Sequence, residues 1–302
     1  MSRGPDSSLR RGMSRGYVGR FAPSPTGDLH LGSLYTAAAS YLDARAMGGR
    51  WLLRMEDLDV PRVVPGSAAG ILHTLERFGF EWDDEVWQSK RTERYTAALD
   101  TLSSCGLTFE CSCSRSALAE EDRYPGHCRE HPLVPGRPTA TRLRVESAFV
   151  EFTYRIQGRF RQDVAAAVGD LVLRRRDRLF AYVLAVVVDD AAQGVTHVVR
   201  GADLLDNTPR QMHLQRLLGL QHPFYAHVPV LTEPDGKKLA KSARSVHLTS
   251  GAAVAQLIAV FELLNLSPPA ELSGASIADA WKWALAHWNA DRVPKRLSHA
   301  LA

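Results

Sequence analysis

The spacing of hydrophobic positions changes several times along this chain, and each change predicts an element. "YVGRFA" reads as a short strand. "SLYTAAASYLDARAMGG" reads as a helix closed by a glycine pair. "RWLLRMEDLD" predicts a second strand running into an acidic loop, and "SAAGILHTLERFGF" has apolar residues at helical spacing. Up to about Leu107 the order is β-α-β-α, the pattern of a parallel sheet flanked by helices. From about Thr108 to Arg161 the pattern breaks up. Three cysteines, several prolines and charged strand-like pieces such as "TATRLRV" predict an insertion with its own small fold. Alternation then resumes with the strand "DLVLRRRDRLF", the helix "AYVLAVVVDDAAQG", the strand "THVVRG" and a helix from Thr208. Thr208, Pro209 and Gln211 read as cap, first helical position and capping box. "YAHVPVL" predicts one more strand, "TEPDGKKLAKSARS" a basic loop, and the rest reads as helical.

Composition narrows the class without naming a function. The chain has 302 residues, 45% hydrophobic and 23% charged, with a formal net charge of +4. This is the profile of a globular protein with a mild basic bias that permits nucleic-acid binding without demonstrating it. No apolar run approaches the ~20 residues of a membrane helix, since "LFAYVLAVVV" stops at Asp189. The start, "MSRGPDSSLRRGMSRG", lacks the apolar centre of a secretory signal. Residues 1–16 read as a disordered tail, and Met13 is a second candidate start. Four cysteines in a chain of this length are not a disulfide framework, so a reducing cytoplasm is expected.

Two loops carry candidate chemistry. In "RFAPSPTGDLHLGS", a Gly/Pro loop enters a helix whose first N–H groups and dipole favour an anion. Gly32 lets a flat ring lie on the backbone, and His30 can donate to a phosphate oxygen that gains charge in a transition state. Late in the chain, Lys238-Leu-Ala-Lys241-Ser242 sits on a glycine-containing loop that could close over a triphosphate. Alone, the first is a chance His-x-Gly and the second a solvated basic loop. Together, each after a strand in one α/β frame, they point to a nucleotide site.

These residues carry a resemblance. "HLGS" and "KLAKS" resemble the two signature motifs of class I aminoacyl-tRNA synthetases, and "RFAPSPTGDLHLGS", "RMEDLD" and "VVRGADLL" resemble the glutamyl branch. The likeness runs from Tyr17 to Ser242 and is strongest to the glutamyl-queuosine tRNA(Asp) synthetases, the shortened paralogues of glutamyl-tRNA synthetase. It implies a ligase with a class I Rossmann-like fold, a parallel sheet flanked by helices, in halves 17–107 and 162–242. Between them, 108–161 would be a zinc-binding insertion, and 243–302 a short helical subdomain in place of an anticodon-binding module. It implies Arg20 and Arg200 on the substrate carboxylate, and Glu56 on the ammonium with help from Ser24. Tyr182 would offer a hydroxyl, and the loop of Arg20, Phe21, Ala22, Pro23 and Ser24 its backbone. His30, Gly32 and Lys241 would hold ATP, with Lys238 secondary; Ala240 stands where many class I enzymes carry serine. From residue chemistry alone, Arg54 and Glu56 could instead be a surface pair and Tyr182 a core aromatic.

The resemblance further implies activation of L-glutamate by ATP and Mg²⁺ without tRNA, then transfer to queuosine at anticodon position 34 of tRNA(Asp), by a monomer that receives the anticodon loop. The rival readings are a truncated enzyme charging the 3′ end of tRNA(Glu), a non-catalytic RNA-binding paralogue, and a pantothenate synthetase-like ligase. Cys111, Cys113 and Cys128 point to one structural Zn²⁺. Chemistry alone nominates His127 as fourth ligand; the resemblance implies Tyr124. Cys105 is expected in a buried helix position. The Trp281, Trp283 and Trp288 cluster is expected in the core. The run Arg174, Arg175, Arg176 and Arg178 is either a set of phosphate contacts or a solvated strand edge.

Overall fold

The computed structural model describes residues 16–114, 116–118, 121, 123–131, 133–233, 248 and 252–301. The tail at 1–15 and the loop carrying Lys238 and Lys241 lie outside the described residues. The chain opens with β1 (Val18–Phe21), α1 (Leu31–Ala46), β2 (Arg50–Met55), α2 (Ser67–Arg77), β3 (Glu85–Trp87) and α3 (Thr92–Ser104). β1, β2 and β3 pair in parallel, with Arg20 opposite Leu52 and Phe21 opposite Leu53. After the insertion come α6 (Tyr182–Ala192), β9 (His197–Gly201), α7 (Asn207–Leu217), β10 (Phe224–Val228) and β11 (Val230–Thr232). β9 and β10 pair in parallel, with Arg200 opposite His227. Thr196 N–H donates to Val18 O at 2.9 Å and Val18 N–H to Thr196 Oγ1 at 2.9 Å, so β9 runs beside β1. The strands therefore follow the order β3-β2-β1-β9-β10, in which the two halves of the sequence meet at β1 and β9. In such open parallel sheets ligands bind beyond the carboxyl ends of the strands where the order reverses.

α1 is buried almost all round because its alanines allow close approach to β1 and β9 on one side and to the C-terminal helices on the other. Those helices are α8 (Ala253–Leu263) and α9 (Ile277–His287). Trp281 is buried among Tyr41, Phe80 and Phe261, and its indole N–H donates to Phe78 O at 2.7 Å. Trp283 and Trp288 pack partly buried against the same core, as expected.

The insertion contains β4 (Thr108–Cys111), the one-turn helix α4 (His127–Glu130), β5 (Ala140–Leu143), and the hairpin of β6 (Phe149–Tyr154) and β7 (Gly158–Asp163). The one-turn helix α5 (Val164–Ala167) and β8 (Leu171–Arg174) lie past the expected insertion boundary at Arg161, yet β8 pairs with the insertion strand β5. β4, β5 and β8 form one antiparallel sheet. Its core joins that of α3, α6 and α7.

Three further expectations need correction. α7 does not start with a capping box: it begins at Asn207, and Thr208 and Gln211 turn inward to accept hydrogen bonds from Arg200. A buried guanidinium outcompetes helix N–H groups for those oxygens. Cys105 is exposed, because α3 ends at Ser104 and the residue after it lies beyond the buried Tyr95, Leu99 and Leu102 stripe. The last residues are not all helical: β12 (Ser298–Ala300) adds to β11 in parallel. Three residues are too few to show a strand period.

Candidate functional site

A cavity of about 1250 Å³ opens at the carboxyl ends of β1, β2 and β9. Its walls include Arg20, Phe21, Ala22, Pro23, Ser24, His30, Gly32, Glu56, Tyr182 and Arg200, which the structure therefore brings together from widely separated stretches of sequence. Lys238 and Lys241 lie outside the described residues.

The approach loop after β1 is tied to its neighbours by backbone. Glu56 N–H donates to Pro23 O at 2.9 Å, and Val64 N–H to Pro25 O at 2.9 Å. His30 is the N-cap of α1, and its Nδ1 accepts from Ser33 N–H at 3.3 Å. A neutral ring bonded this way carries its proton on Nε2, the donor a phosphate oxygen would need. α1 has no acidic residue in its first turn, so its positive end is not neutralised there. A Cβ on residue 32 would lie 3.1 Å from both Cε1 and Nδ1 of His30, so glycine at this position leaves the ring its place.

Arg20, Arg54, Glu56 and Asp190 form one largely buried ionic group, of which Arg20 and Glu56 line the cavity. Arg20 is 4% exposed, and its Nε donates to Asp190 Oδ1 at 3.3 Å. Arg54 is fully buried; Nη1 donates to Asp190 Oδ1 at 2.8 Å and to Gln193 Oε1 at 2.8 Å. It is not one half of a surface pair. Its Nη2 reaches Glu56 Oε1 at 3.5 Å, the outer limit of a hydrogen bond. Burial raises the Glu56 carboxyl above the ordinary carboxylate range despite Arg54 and Arg20. An arriving ammonium would supply the missing cation. Burial also pushes Asp190 upward, but the guanidinium groups of Arg54 and Arg20 outweigh it and hold the carboxyl below its usual range.

Arg200 is positioned by neutral acceptors. Nε donates to His227 Nε2 at 3.1 Å, Nη2 to Thr208 Oγ1 at 2.7 Å and to Gln211 Oε1 at 2.8 Å, and Nη1 to Tyr182 Oη at 3.4 Å. His227 can accept because burial, then Arg200 and Arg20, hold its pKa well below the ordinary value, so it stays neutral. No carboxylate is within ion-pair distance of Arg200 among the described residues, and its charge is available to an anionic ligand. Sequence reasoning missed Asp190, His227, Thr208 and Gln211 as parts of this site. The double aspartate ending an otherwise apolar helix, "AVVVDD", was the one signal available. Asp189, fully buried, accepts from Arg91, Gln88 and Tyr95.

In the insertion, the Sγ atoms of Cys111, Cys113 and Cys128 lie within 4.8 Å of one another. Tyr124 is buried, and its hydroxyl lies 3.4 Å from Cys111 Sγ while accepting from Cys128 N–H at 2.9 Å. His127 is exposed and its ring does not join the group. Three clustered sulfurs with one oxygen beside them fit a soft divalent ion such as Zn²⁺. Cys113 also lines the large cavity, so the group adjoins one of its walls.

Residues 17–256 match the family of tRNA synthetases class I (E and Q), catalytic domain. A glutamyl-Q tRNA(Asp) synthetase of Ectopseudomonas mendocina is 55% identical over 94% of this chain and 97% of its own length. One from Dechloromonas aromatica is 51% identical over 94% of this chain and 98% of its own. Among solved structures, the glutamate-tRNA synthetase of Elizabethkingia anophelis superposes with a TM-score of 0.78 at 24% identity, covering 95% of this chain and 68% of that one. That last likeness speaks to fold. Among the described residues, no helix is long and apolar enough to cross a membrane.

Proposed function

This chain belongs to the class I tRNA synthetases of the E and Q type, and on that premise we propose that it activates L-glutamate with ATP and passes the glutamyl group to queuosine at anticodon position 34 of tRNA(Asp). The observation that carries the proposal is the convergence of Arg20, Glu56, Tyr182 and Arg200 on the cavity that His30 and Gly32 also line. A glutamate has two carboxylates and one ammonium. Two guanidinium groups and one carboxylate of raised pKa are the complementary set. Glutamine would bring amide donors against arginine donors and is disfavoured.

The reacting carboxylate of glutamate attacks the α-phosphorus of ATP in line, the bond to the β,γ-diphosphate breaks, and pyrophosphate leaves; Mg²⁺ bound with ATP would offset the charge of the triphosphate. The protein contributes position and charge rather than a nucleophile. Arg20 and Arg200 hold the substrate's carboxylates and Glu56 with Ser24 its ammonium. His30 donates from Nε2 to a phosphate oxygen as charge develops, beside the N–H groups at the start of α1. Lys241, with Lys238 in support, would meet the departing pyrophosphate. A hydroxyl of queuosine then attacks the carbonyl of the glutamyl-adenylate and AMP leaves. Cys111, Cys113, Cys128 and Tyr124 would hold one Zn²⁺, which supplies cross-linking of the insertion and takes no part in the reaction.

The acceptor is tested by glutamylating purified tRNA(Asp) with and without queuosine, beside tRNA(Glu). Product only on queuosine-bearing tRNA(Asp) is expected. Product on tRNA(Glu), or on tRNA(Asp) lacking queuosine, would refute the acceptor and favour charging of a 3′ end.

A further inference from the structure

Six arginines line the large cavity, and their partners separate them into two kinds. Arg20 is paired with Asp190, Arg62 with Asp59, and Arg175 with Asp59 and Asp177. Arg200 is positioned by neutral acceptors in the glutamate pocket, where its charge faces the substrate carboxylate under the proposed reaction. Arg142 and Arg176 differ. Among the described residues neither has a carboxylate within ion-pair distance, and each gives a hydrogen bond only to a backbone carbonyl. Arg142 Nη1 donates to Asp170 O at 2.9 Å and Arg176 Nε to Pro138 O at 2.9 Å. The Asp170 carboxylate is occupied by Arg129 and by Val145 N–H.

Both cations come from one wall. Arg142 is on β5 opposite Val172 of the adjacent β8, and Arg176 follows β8 by two residues. Arg142 is only 9% exposed, its Nε is buried without a partner, and its guanidinium lies 3.8 Å above the ring of Tyr124. The stack fixes the plane of the guanidinium while leaving its edge for a ligand. Burying an unpaired cation is costly unless something anionic completes it. Arg142 lies in the insertion and Arg176 just after β8, and both line the cavity that Arg20 and Arg200 also line.

We propose that Arg142 and Arg176 form an anion subsite that binds the phosphodiester backbone of the acceptor RNA and sets the entering loop against the activated glutamate. This rests on the proposed glutamyl transfer and adds the protein's contact to the RNA. It also divides the arginine run: Arg175 is tied down by two aspartates, and Arg176 is the member turned to the ligand. A phosphate could equally come from ATP, so the test has two arms.

In the first arm, glutamate-dependent ATP–pyrophosphate exchange without RNA is measured for wild type, Arg142→Met, Arg176→Ala, the double variant and Arg176→Lys. In the second, binding of queuosine-bearing tRNA(Asp) is followed by filter retention over a salt series, together with transfer. Exchange, including the KM for ATP, should stay within about twofold of wild type, because no adenylation contact is removed. RNA binding should weaken about tenfold or more for each single variant, the energy range of a hydrogen bond to a charged group. The salt dependence should become shallower by about 0.7 per lost cation, and Arg176→Lys should recover that slope. Unchanged RNA affinity in the double variant would overturn the proposal. So would a raised KM for ATP, which would assign the subsite to the triphosphate. Failure of wild-type exchange would instead refute the glutamate reading, while the binding arm would still decide the subsite. Arg176, only partly buried, keeps the test informative should Arg142→Met prove unstable.

Discussion

Asp190→Asn isolates the carboxylate on which the floor of the site depends. In the native protein one oxygen of Asp190 accepts from Arg54 at 2.8 Å and from Arg20 at 3.3 Å, with the aspartate 3% exposed and Arg54 wholly buried. A unit charge pair at ~4 Å is worth about 4 kcal/mol at an effective dielectric of ~20. Two such pairs are opposed by the several kcal/mol needed to bury the carboxylate, which asparagine avoids. The net expectation is a loss of about 3–5 kcal/mol, the range for removing one partner of a buried pair. This is a large share of the ~5–15 kcal/mol that holds a typical domain together. Urea unfolding at neutral pH measures it. The glutamate KM from pyrophosphate exchange reports in parallel whether Arg20 keeps its orientation, and should rise. Asp190 has a depressed pKa, so its contribution is present above the ordinary carboxylate range and is lost as pH falls through the lowered value. The stability gap between wild type and variant should therefore hold from neutral pH down to about 4 and close below it. A loss under about 1 kcal/mol with an unchanged glutamate KM would show that Arg20 and Arg54 do not depend on this carboxylate, and the description of the floor would be wrong.

Other outcomes follow from the same geometry. Gly32→Ala puts a methyl 3.1 Å from the His30 ring and should lower the exchange kcat by about 10²-fold or more with little change in glutamate KM; equal effects on both would contradict a transition-state role. His227 has a depressed pKa, so above about pH 6.5 both folded and unfolded states hold it neutral. Below that, the unfolded state alone takes up the proton, and thermal stability should fall; His227→Gln should flatten that fall, and an unchanged profile would count against the buried neutral ring. Cys128→Ser should lower bound zinc, measured by elemental analysis, from about one ion per chain toward none, and should expose the insertion to proteolysis; full occupancy would exclude the thiol as ligand.

The elements that sequence revealed are those whose pattern is carried by many residues. α1 and α6 are long apolar helices, and β1, β2 and β9 lead directly into their motifs. Gathering of Arg20, Glu56, Tyr182 and Arg200 could be expected from resemblance, since a parallel sheet brings the ends of its strands to one edge. What sustains them could not. Thr208 and Gln211 fit a capping box by spacing, and only the buried Arg200 shows why they are used otherwise. Asp190 looks like the polar end of an apolar helix until the fold sets it under Arg20 and Arg54. β3 and β12, three residues each, are defined by their partners rather than by their own period. The arginine run was ambiguous because sequence does not show which aspartates lie within reach; Asp59 comes from a loop more than a hundred positions away.

Pyrophosphate exchange without tRNA, run side by side with glutamate, glutamine and aspartate on wild type and Arg200→Ala, reaches the central claim most directly. The account predicts exchange with glutamate alone and none in the variant. Exchange driven equally by glutamine or aspartate, or persisting once Arg200 is gone, would contradict it.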